Sequence, residues 1–484
     1  MRTIGNSSPT ARKLNAIASG ALPNGKPVVV NADGTVSIIA GAGATLGSKT
    51  EYNSADTRYP TAVYDTANSK IVFAYYDNNT PNARVGTISG TTISFGSAVR
   101  FNPTYSATAI STVYDPDTGK IVIAYIDSTS NGKVVIGTVS GTSISFGSPV
   151  IFHAGSTDTT EGLKAVYDTA NNKVVIAYND GAIARGQAVV GTVSGTSISF
   201  GTAVNFFNTT NLRGAYNTLT MAFDSTAEKV IIAYVSGSNN RGYATVGTVS
   251  GTNISFATAV EFATEALDYL AIDYDSVSNK SLIFYNAGNA AGKAIVVTLS
   301  GTTPSYGTAA TFRGSRSRSN SAVYDSVAKL FVFTSQEYVN GAGATTNDGK
   351  LNTATISGNT VAFGSEITIE SGNYAYPGIG YDSENGQVIA LWNNISNEDG
   401  NYLINKAAFT NLTTENYIGL ASNGYPDTAG STIDVQGAIN DRQSGLTAGQ
   451  SYFVQTDGTL GTTAGDPSVF AGTAVSATKM IVKG

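Results

Sequence analysis

Residues 134–152 read VVIGTVSGTSISFGSPVIF, and near-copies of this stretch occur at six places in the chain. Each copy holds two apolar runs that meet at a glycine and a following polar residue, here Gly141 and Thr142. A glycine at the first position of a two-residue turn supplies the positive φ that a tight hairpin needs. The stretch therefore predicts a β-hairpin that is built again and again along the chain.

A larger unit surrounds each copy, and an aspartate that follows Tyr or Phe marks the same point in every unit. These predicted turn residues are Asp65, Asp115, Asp168, Asp224, Asp275, Asp325 and Asp382. They lie about 53 residues apart, a length that accommodates four short strands and their turns. Each unit reads as strand A ending in Tyr-Asp, a turn, an apolar strand B, and strands C and D of the hairpin. Helical periodicity is absent, and turn residues recur often, as in repeated all-β units.

Seven units predict an all-β fold, a seven-bladed β-propeller of four-stranded antiparallel blades. The seventh unit lacks strand D, but residues 45–52 (TLGSKTEY) align on the strand-D segment ISFGSAVRF of residues 93–101. An N-terminal strand in the last blade would close the ring and remove the free sheet edges. An open solenoid would instead need dissimilar caps at its ends.

The sequence outside the repeat predicts a small terminal β-domain. We assign residues 44–411 to the propeller, 412–484 to the C-terminal β-domain and 22–43 to a β-hairpin that packs with that domain. The hairpin is expected because residues 22–39 and 446–461 both hold an apolar run followed by Asp-Gly-Thr. Residues 1–21 are expected to form an N-terminal arm that becomes ordered only on a partner.

The composition excludes several classes of function. The chain of 484 residues has a net charge of −6, no cysteine and a single histidine. The acidic balance argues against a nucleic-acid partner. The lack of cysteine excludes disulfides and thiolate metal sites, and one histidine excludes a His-based triad or a multi-His metal site within one chain. No segment has the apolar length of a signal peptide or a membrane span. We therefore expect no enzyme activity, no catalytic residue, no cofactor, no metal and no membrane insertion.

Loop lengths differ between the two predicted faces of the repeat. The A–B and C–D turns are nearly constant, whereas the B–C segment varies from 15 residues (Tyr75 to Gly90) to 24 residues (Thr334 to Gly358). In an antiparallel meander these two classes of connection emerge on opposite faces. Because function is usually carried by loops on a rigid scaffold, the irregular face is the predicted contact surface. Neutral drift of loop length is the alternative.

Few side chains suggest chemistry. Three arginines in FRGSRSRSN form a cation cluster on the irregular face and are the predicted ligand-binding residues for an anionic sugar or a partner carboxylate, with a solvated loop as the alternative: Arg313, Arg316 and Arg318. Five loop carboxylates could in principle contain a glycosidase pair: Asp158, Glu161, Glu265, Asp268 and Glu337. We expect His153 to be a loop residue and Trp392 to pack inside a blade.

The chain resembles the repeat-bearing structural proteins of tailed bacteriophages, especially those of marine and cyanobacterial hosts. The resemblance rests on the unit YDxxxxKVVIAY…VGTVSGTSISFG over residues 45–410 and on the tail NYIGLAS…KMIVKG over 417–484. It implies a virion component that is assembled in the host cytoplasm and exposed on the particle surface. The repeat lacks the signatures of WD40 and kelch propellers.

The function that this resemblance implies is that of a non-enzymatic tail fibre or spike, or of a capsid-attached fibre. Its terminal segments would anchor it to other virion proteins, and the propeller would contact host-surface polysaccharide. A capsid decoration or cement protein and a glycan-cleaving tail enzyme are the alternatives, and self-association into a homo-oligomer is left open.

Overall fold

The computed structural model shows strands and turns throughout the residues that it describes. These residues are 12–19, 21–31, 34–39, 41–42, 45–78, 80–102, 107–155, 162–182, 184–207, 212–213, 217–288, 290–341, 344–406, 409–410, 412, 415–455, 458–465 and 468–483. They form two compact units, residues 46–406 and residues 1–45 with 407–484. In this described part of the chain, no helix is long and apolar enough to cross a bilayer.

The strands are numbered in chain order. Six precede the first repeat: β1 (Lys13–Ile17), β2 (Pro27–Val30), β3 (Val36–Ile38), β4 (Gly41–Ala42), β5 (Thr45–Leu46) and β6 (Thr50–Asn53). The repeats contain β7 (Thr57–Asp65), β8 (Lys70–Asp77), β9 (Thr80–Ser89), β10 (Thr92–Phe95), β11 (Val99–Arg100), β12 (Ala107–Asp115), β13 (Lys120–Asp127), β14 (Gly132–Ser140), β15 (Ser143–Phe146), β16 (Val150–His153), β17 (Leu163–Asp168), β18 (Lys173–Asp180), β19 (Arg185–Ser194), β20 (Ser197–Phe200), β21 (Val204–Phe207), β22 (Leu219–Asp224), β23 (Lys229–Val235), β24 (Gly242–Ser250), β25 (Asn253–Phe256), β26 (Val260–Ala263), β27 (Leu267–Asp275), β28 (Lys280–Ala287), β29 (Ala291–Ser300), β30 (Thr303–Tyr306), β31 (Ala310–Arg313), β32 (Arg316–Asp325), β33 (Leu330–Gly341), β34 (Ala344–Ser357), β35 (Thr360–Phe363), β36 (Ile367–Glu370), β37 (Tyr374–Asp382), β38 (Gln387–Asn394) and β39 (Gly400–Lys406). The rest are β40 (Phe409–Thr410), β41 (Tyr417–Ala421), β42 (Gly430–Asp434), β43 (Ile439–Asn440), β44 (Ser451–Val454), β45 (Leu460–Gly461), β46 (Val469–Ser476) and β47 (Lys479–Val482).

Residues 46–406 repeat one antiparallel sheet design. Strands A, B and C follow one another as neighbours, and strand D is split into two segments that both pair with strand C. Sheets 1 to 6 are β7–β11, β12–β16, β17–β21, β22–β26, β27–β31 and β32–β36, and sheet 7 consists of β37–β39 with β5 and β6. The predicted all-β architecture of repeated four-stranded antiparallel sheets is thus confirmed, and it is consistent with a β-propeller.

The turns of each sheet follow from the residues that recur in them. In the C–D turn, Ser140 pairs with Ser143 and Gly141 has a φ of 59°, as the sequence predicts. In the A–B turn, Asp168 accepts hydrogen bonds from the backbone N–H groups of Ala170 and Asn171, both at 3.0 Å. The other six repeated aspartates accept N–H groups from two or three residues ahead in the same way. A side chain that satisfies turn donors fixes the A–B connection in every sheet.

Apolar packing between neighbouring sheets forms the core of this unit. Strand B is buried on both of its faces, and its residues 121–126 in sheet 2 have no exposed surface. Apolar clusters combine residues from adjacent sheets, including one that joins sheet 7 to sheet 1. Strand A of each sheet also contacts strand A of the next, and β37 contacts β7. The N-terminal strand β6 pairs with β39 and supplies the outer part of sheet 7.

The second unit contains two five-stranded sheets and a two-stranded one. Their orders are β1-β42-β41-β2-β3, β43-β47-β46-β44-β45 and β4-β40. Residues 13–17, which we predicted to belong to a partner-dependent arm, instead form an edge strand on Gly430–Asp434. This pairing corrects that prediction, because the free edge of β42 supplies main-chain partners within the same chain. Residues 1–11 and the turn residues Asp33 and Asp457 lie outside the described residues.

Candidate functional site

Strand A carries a β-bulge near its start in sheets 1, 2, 5, 6 and 7. One residue of each bulge has a positive φ between 47° and 56°, six positions before the turn aspartate: Tyr59, Ala109, Tyr269, Ser319 and Tyr376. In sheet 4, Asn217 has a φ of 48° just ahead of β22. A non-glycine residue in this region costs of order 1–3 kcal/mol, and such strain concentrates at binding and switch sites. Bulges also re-aim side chains.

A cavity of about 250 Å³ lies where these strands begin. Residues from strand A or its start in all seven sheets line it, among them Tyr59, Tyr376, Asn217 and Asn320. Of the described lining residues, Lys164 is the one with a charged side chain. Because strand A starts directly after the D–A loop, the cavity lies at the end of the sheets where the long, unequal B–C and D–A loops emerge. This end is the irregular face of the sequence analysis, and we call it the long-loop face.

Side chains connect the inner strands around this cavity. The hydroxyls of Thr61 and Thr112 hydrogen-bond between sheets 1 and 2. Ser111 Oγ accepts from the Ala165 N–H at 3.0 Å between sheets 2 and 3. Asn320 Nδ2 donates to the Tyr269 carbonyl at 2.7 Å between sheets 5 and 6. The wall of the cavity is therefore held by specific polar contacts as well as by apolar packing.

Asp273 follows the cavity-lining residue Ile272 on β27, and Val63, Val113, Val166 and Val323 occupy its position in other sheets. It is partly buried, and burial raises its pKa to about 6, although backbone hydrogen bonds from Tyr324 and Tyr274 lower it. A carboxyl group whose folded pKa is raised contributes stability below its unfolded pKa, and this contribution is lost as pH rises through the folded pKa.

We therefore expect the effect of Asp273→Val on the free energy of unfolding to be about 2 kcal/mol more favourable at pH 7.5 than at pH 4, because valine has no charge to bury. The effect should become less favourable as pH falls from 6 towards 4, where the wild-type carboxyl is protonated. Urea unfolding of the variant and of the wild type at several pH values measures this. An effect that is the same at every pH would contradict the titration of Asp273.

An arginine cluster, made of Arg213, Arg316 and Arg318, lies around Asp268. Asp268 precedes the cavity-lining residue Leu270 by two positions. Arg213 Nη2 lies 2.9 Å from Asp268 Oδ1, and Arg316 Nη2 lies 3.8 Å from Oδ2. The Arg318 guanidinium lies 3.3 Å from the ring centre of Tyr338, and that of Arg316 lies 5.7 Å from the same centre. These residues precede or flank the positive-φ residues of sheets 4, 5 and 6, so the cluster belongs to the long-loop face.

The electrostatics of the cluster are dominated by the loss of water. Burial raises the pKa of Asp268, and the three guanidinium groups lower it without cancelling that rise. The side chain of Asp268 is 11% exposed and that of Arg316 is 18% exposed. Charge pairs are screened less at such a site than at an open surface.

The structure separates the three arginines that we predicted to act together. Arg313 is buried, forms an ion pair with Glu366, and donates to Ser335 Oγ at 2.9 Å. Arg316 and Arg318 lie in the arginine cluster instead. Ligand binding by the predicted set stays a prediction, and the geometry adds Arg213 to it. The signal for Arg213 was its place in the D–A segment of the fourth unit.

The remaining candidates have structural contacts. Trp392 is fully buried, and its indole N–H donates to Glu370 at 3.0 Å. His153 Nε2 lies 3.8 Å from Asp180 Oδ1. Glu265 pairs with Lys293 at 2.9 Å, Glu337 pairs with Lys350 at 3.2 Å, and Asp158 and Glu161 lie outside the described residues. In the described part of the chain, no three His, Asp or Glu side chains are grouped as a metal site would need.

No family model and no curated protein matches the chain. Among solved structures, the β-propeller domain of Cps50 (Swd1) from Myceliophteria thermophila is similar, with a TM-score of 0.46 and 8% identity, covering 74% of this chain and 99% of that chain. The comparisons give no support to the predicted function of a phage surface protein. That prediction is withdrawn, and the fibre, decoration and glycan-cleaving functions are not retained.

Proposed function

We propose that this chain is a non-catalytic binding module that holds a partner protein on its long-loop face. In this proposal the seven sheets form a seven-bladed β-propeller, and residues 45–53 close its ring in sheet 7. The observation that carries the proposal is the convergence of the starts of the inner strands, with their positive-φ bulges, around the cavity on that face. Strained backbone around a recess is a feature of binding sites.

Contacts at the junction of sheets 7 and 1 support ring closure. Strand β6, paired with β39 in sheet 7, places Tyr52 against Phe73 of sheet 1, and β37 contacts β7. The first and last sheets thus meet through both their inner and their outer parts. The inner strands approach closely: a Cβ added at Gly378 would overlap the Pro60 carbonyl, and one added at Gly380 would lie 2.6 Å from the Ala62 Cβ. Glycine at these two positions thus suits a tight joint.

The long hairpin of sheet 6 supports a partner of protein size. Strands β33 and β34 stay paired as far as Gly341 and Ala344, whereas the corresponding hairpin of sheet 1 ends at Asp77 and Thr80. Counted from Tyr75 and Ser335, which the strand register makes equivalent, the sheet 6 hairpin extends four residues further, roughly 13 Å. An arm of this length provides contact area well beyond that of the cavity.

The contacts of the ionisable side chains support a binding role over a catalytic one. On the long-loop face, Glu265 and Glu337 are held by lysines, and Asp268 is held by Arg213 and Arg316. The single histidine packs 5.0 Å from the Tyr178 ring. Acid–base catalysis needs a group that can reach a proton of the substrate. These carboxylates are instead engaged in ion pairs with lysine and arginine side chains.

Site-specific photo-crosslinking in the cells that naturally contain the protein tests this proposal. A photoreactive amino acid replaces Val339 or Ile395, which are exposed on B–C segments, or Val277 or Thr196, which are exposed in the A–B and C–D turns. We expect adducts with the same protein from Val339 and Ile395 and none from the two control positions. Adducts of equal yield from all four positions, or from the controls alone, would overturn the proposal.

A further inference from the structure

We propose that the arginine cluster is an anion-binding site that takes two carboxylates of an acidic peptide segment. This inference rests on the proposed binding role of the long-loop face and specifies the chemistry of its partner. It is drawn from the charge balance of the cluster, from its unused hydrogen-bond donors and from the way Tyr338 holds two of its guanidinium groups.

The charge balance leaves the cluster positive. Three guanidinium groups act on Asp268. The neighbouring carboxylates are already paired with cations outside the cluster: Glu337 with Lys350, Glu366 with Arg313, and Glu265 with Lys293. Since arginine remains protonated in proteins, the cluster keeps two positive charges in excess of its carboxylate. Such a concentration of cations is notable in a chain with a net charge of −6.

Unused donors point to a missing acceptor. The Nε atoms of Arg316 and Arg318 are buried and have no hydrogen-bond partner among the described residues. Asp268 Oδ1 also accepts no hydrogen bond there, although Arg213 Nη2 lies 2.9 Å from it as an ion pair. A buried donor without an acceptor costs about 1–3 kcal/mol, and more when it is charged. An incoming carboxylate would satisfy these N–H groups through charge-assisted hydrogen bonds, which are stronger than neutral ones.

Cation–π contacts with Tyr338 position the two guanidinium groups. Arg318 lies over the ring at 3.3 Å from its centre, and Arg316 lies 5.7 Å from the same centre and 5.9 Å from that of Tyr269. A guanidinium whose flat face rests on an aromatic ring keeps its N–H edge for a planar, two-pronged contact. Planar carboxylates match this edge.

The spread of the donors favours a peptide with two carboxylates over a single small anion. Arg213 and Arg316 pair with Asp268 of β27, whereas Arg318 is held over Tyr338 of β33. The unpaired Nε–H groups therefore belong to two arginines that are held by different contacts, Arg316 by Asp268 and Arg318 by Tyr338. An extended acidic segment can place successive side chains on both, next to the hairpin arm of sheet 6.

Binding of a fluorescein-labelled, end-capped hexaglutamate peptide to the full-length protein tests the inference. Fluorescence anisotropy at low ionic strength should show binding to the wild type, and Arg316→Gln with Arg318→Gln should weaken it about tenfold or more. Arg241→Gln, which leaves all three arginines of the cluster in place, is the matched control. Arg241 pairs with Glu261 on an exposed part of the same face. Trp392 fluorescence verifies that each variant remains folded.

Three outcomes would overturn the acidic-peptide assignment: no binding to the wild type, equal loss of affinity in the Arg241→Gln control, or displacement of the peptide by inorganic phosphate at concentrations well below those of the peptide. Arg318→Lys separates charge from geometry, and we expect it to retain less than half of the wild-type affinity because lysine lacks the planar fork. Persistence of the crosslinks at Val339 alongside any of these results would leave the binding role of the face standing and reject its acidic partner alone.

Discussion

Replacing Tyr52 by alanine is expected to destabilise sheet 7 by about 3–5 kcal/mol. Tyr52 lies on β6 and is 3% exposed. Its ring makes edge contacts with Phe73 and Tyr75 at centre distances of 5.1 and 5.3 Å, so it joins sheet 7 to sheet 1. Loss of this ring leaves a cavity at the point where the N-terminal strand meets the last sheet, and aromatic contacts are lost with it.

Fluorescence of the single tryptophan, Trp392, measures this effect because it lies on β38 of the same sheet. Tyr52→Phe is the matched control. The Tyr52 hydroxyl is buried without a hydrogen-bond partner among the described residues, and phenylalanine occurs at the equivalent position of sheet 1, Phe101. We expect the urea midpoint of unfolding of Tyr52→Phe to equal or exceed that of the wild type. A Tyr52→Ala midpoint equal to that of the wild type would show that β6 does not stabilise sheet 7.

Gly147→Val is expected to lower the free energy of unfolding by about 2–3 kcal/mol through overpacking. Gly147 follows the first segment of strand D in sheet 2, and its N–H donates to the Ile136 carbonyl at 3.0 Å. An added Cβ would overlap the carbonyl oxygen of Thr196 in the C–D turn of sheet 3. Gly96, Gly201 and Gly307 face the next turn in the same way. The repeated glycine is thus needed where neighbouring sheets touch at their outer turns.

The chain itself contains a partial test of this prediction. Ala257 occupies the same position in sheet 4, and its N–H donates to Val246 at 3.0 Å as the glycines do. One methyl group can therefore be accommodated with local adjustment. We expect Gly147→Ala to cost less than Gly147→Val, and Ala257→Gly to be close to neutral, in urea unfolding followed by circular dichroism. If the Gly147→Val variant had the same urea midpoint as the wild type, close packing of the turns would be refuted.

The fold was predictable to the extent that turns and apolar runs repeat. Gly141 and the turn aspartates specify local hydrogen bonding, and their regular spacing places the strands. The bulges of strand A were not predictable, because Tyr59, Ala109 and Ser319 share no residue type that favours a positive φ. Strand β1 was missed because it is short and depends on pairing with residues more than 400 positions away.

The candidate site was predictable only in part. Arg316 and Arg318 stand out in the sequence as charges in a charge-poor chain. Their grouping with Arg213 and Asp268 depends on the adjacency of three sheets, which local patterns do not encode. The burial of Arg313 depends on Glu366, 53 residues away, so a run of arginines in the sequence did not reveal which of them faces a partner.

The pairing of β6 with β39 has a consequence for synthesis on the ribosome. Tyr52 is made early, but its partner strand is made roughly 350 residues later, which at typical elongation rates is a delay of about 20–70 s. During this interval the N-terminal segment has no strand to pair with, and six sheets can form before it is used. Strand β6 has only four residues, and Lys49 and Glu51 in this segment are charged. A short, charged strand resists pairing with another chain, which protects the segment during this interval.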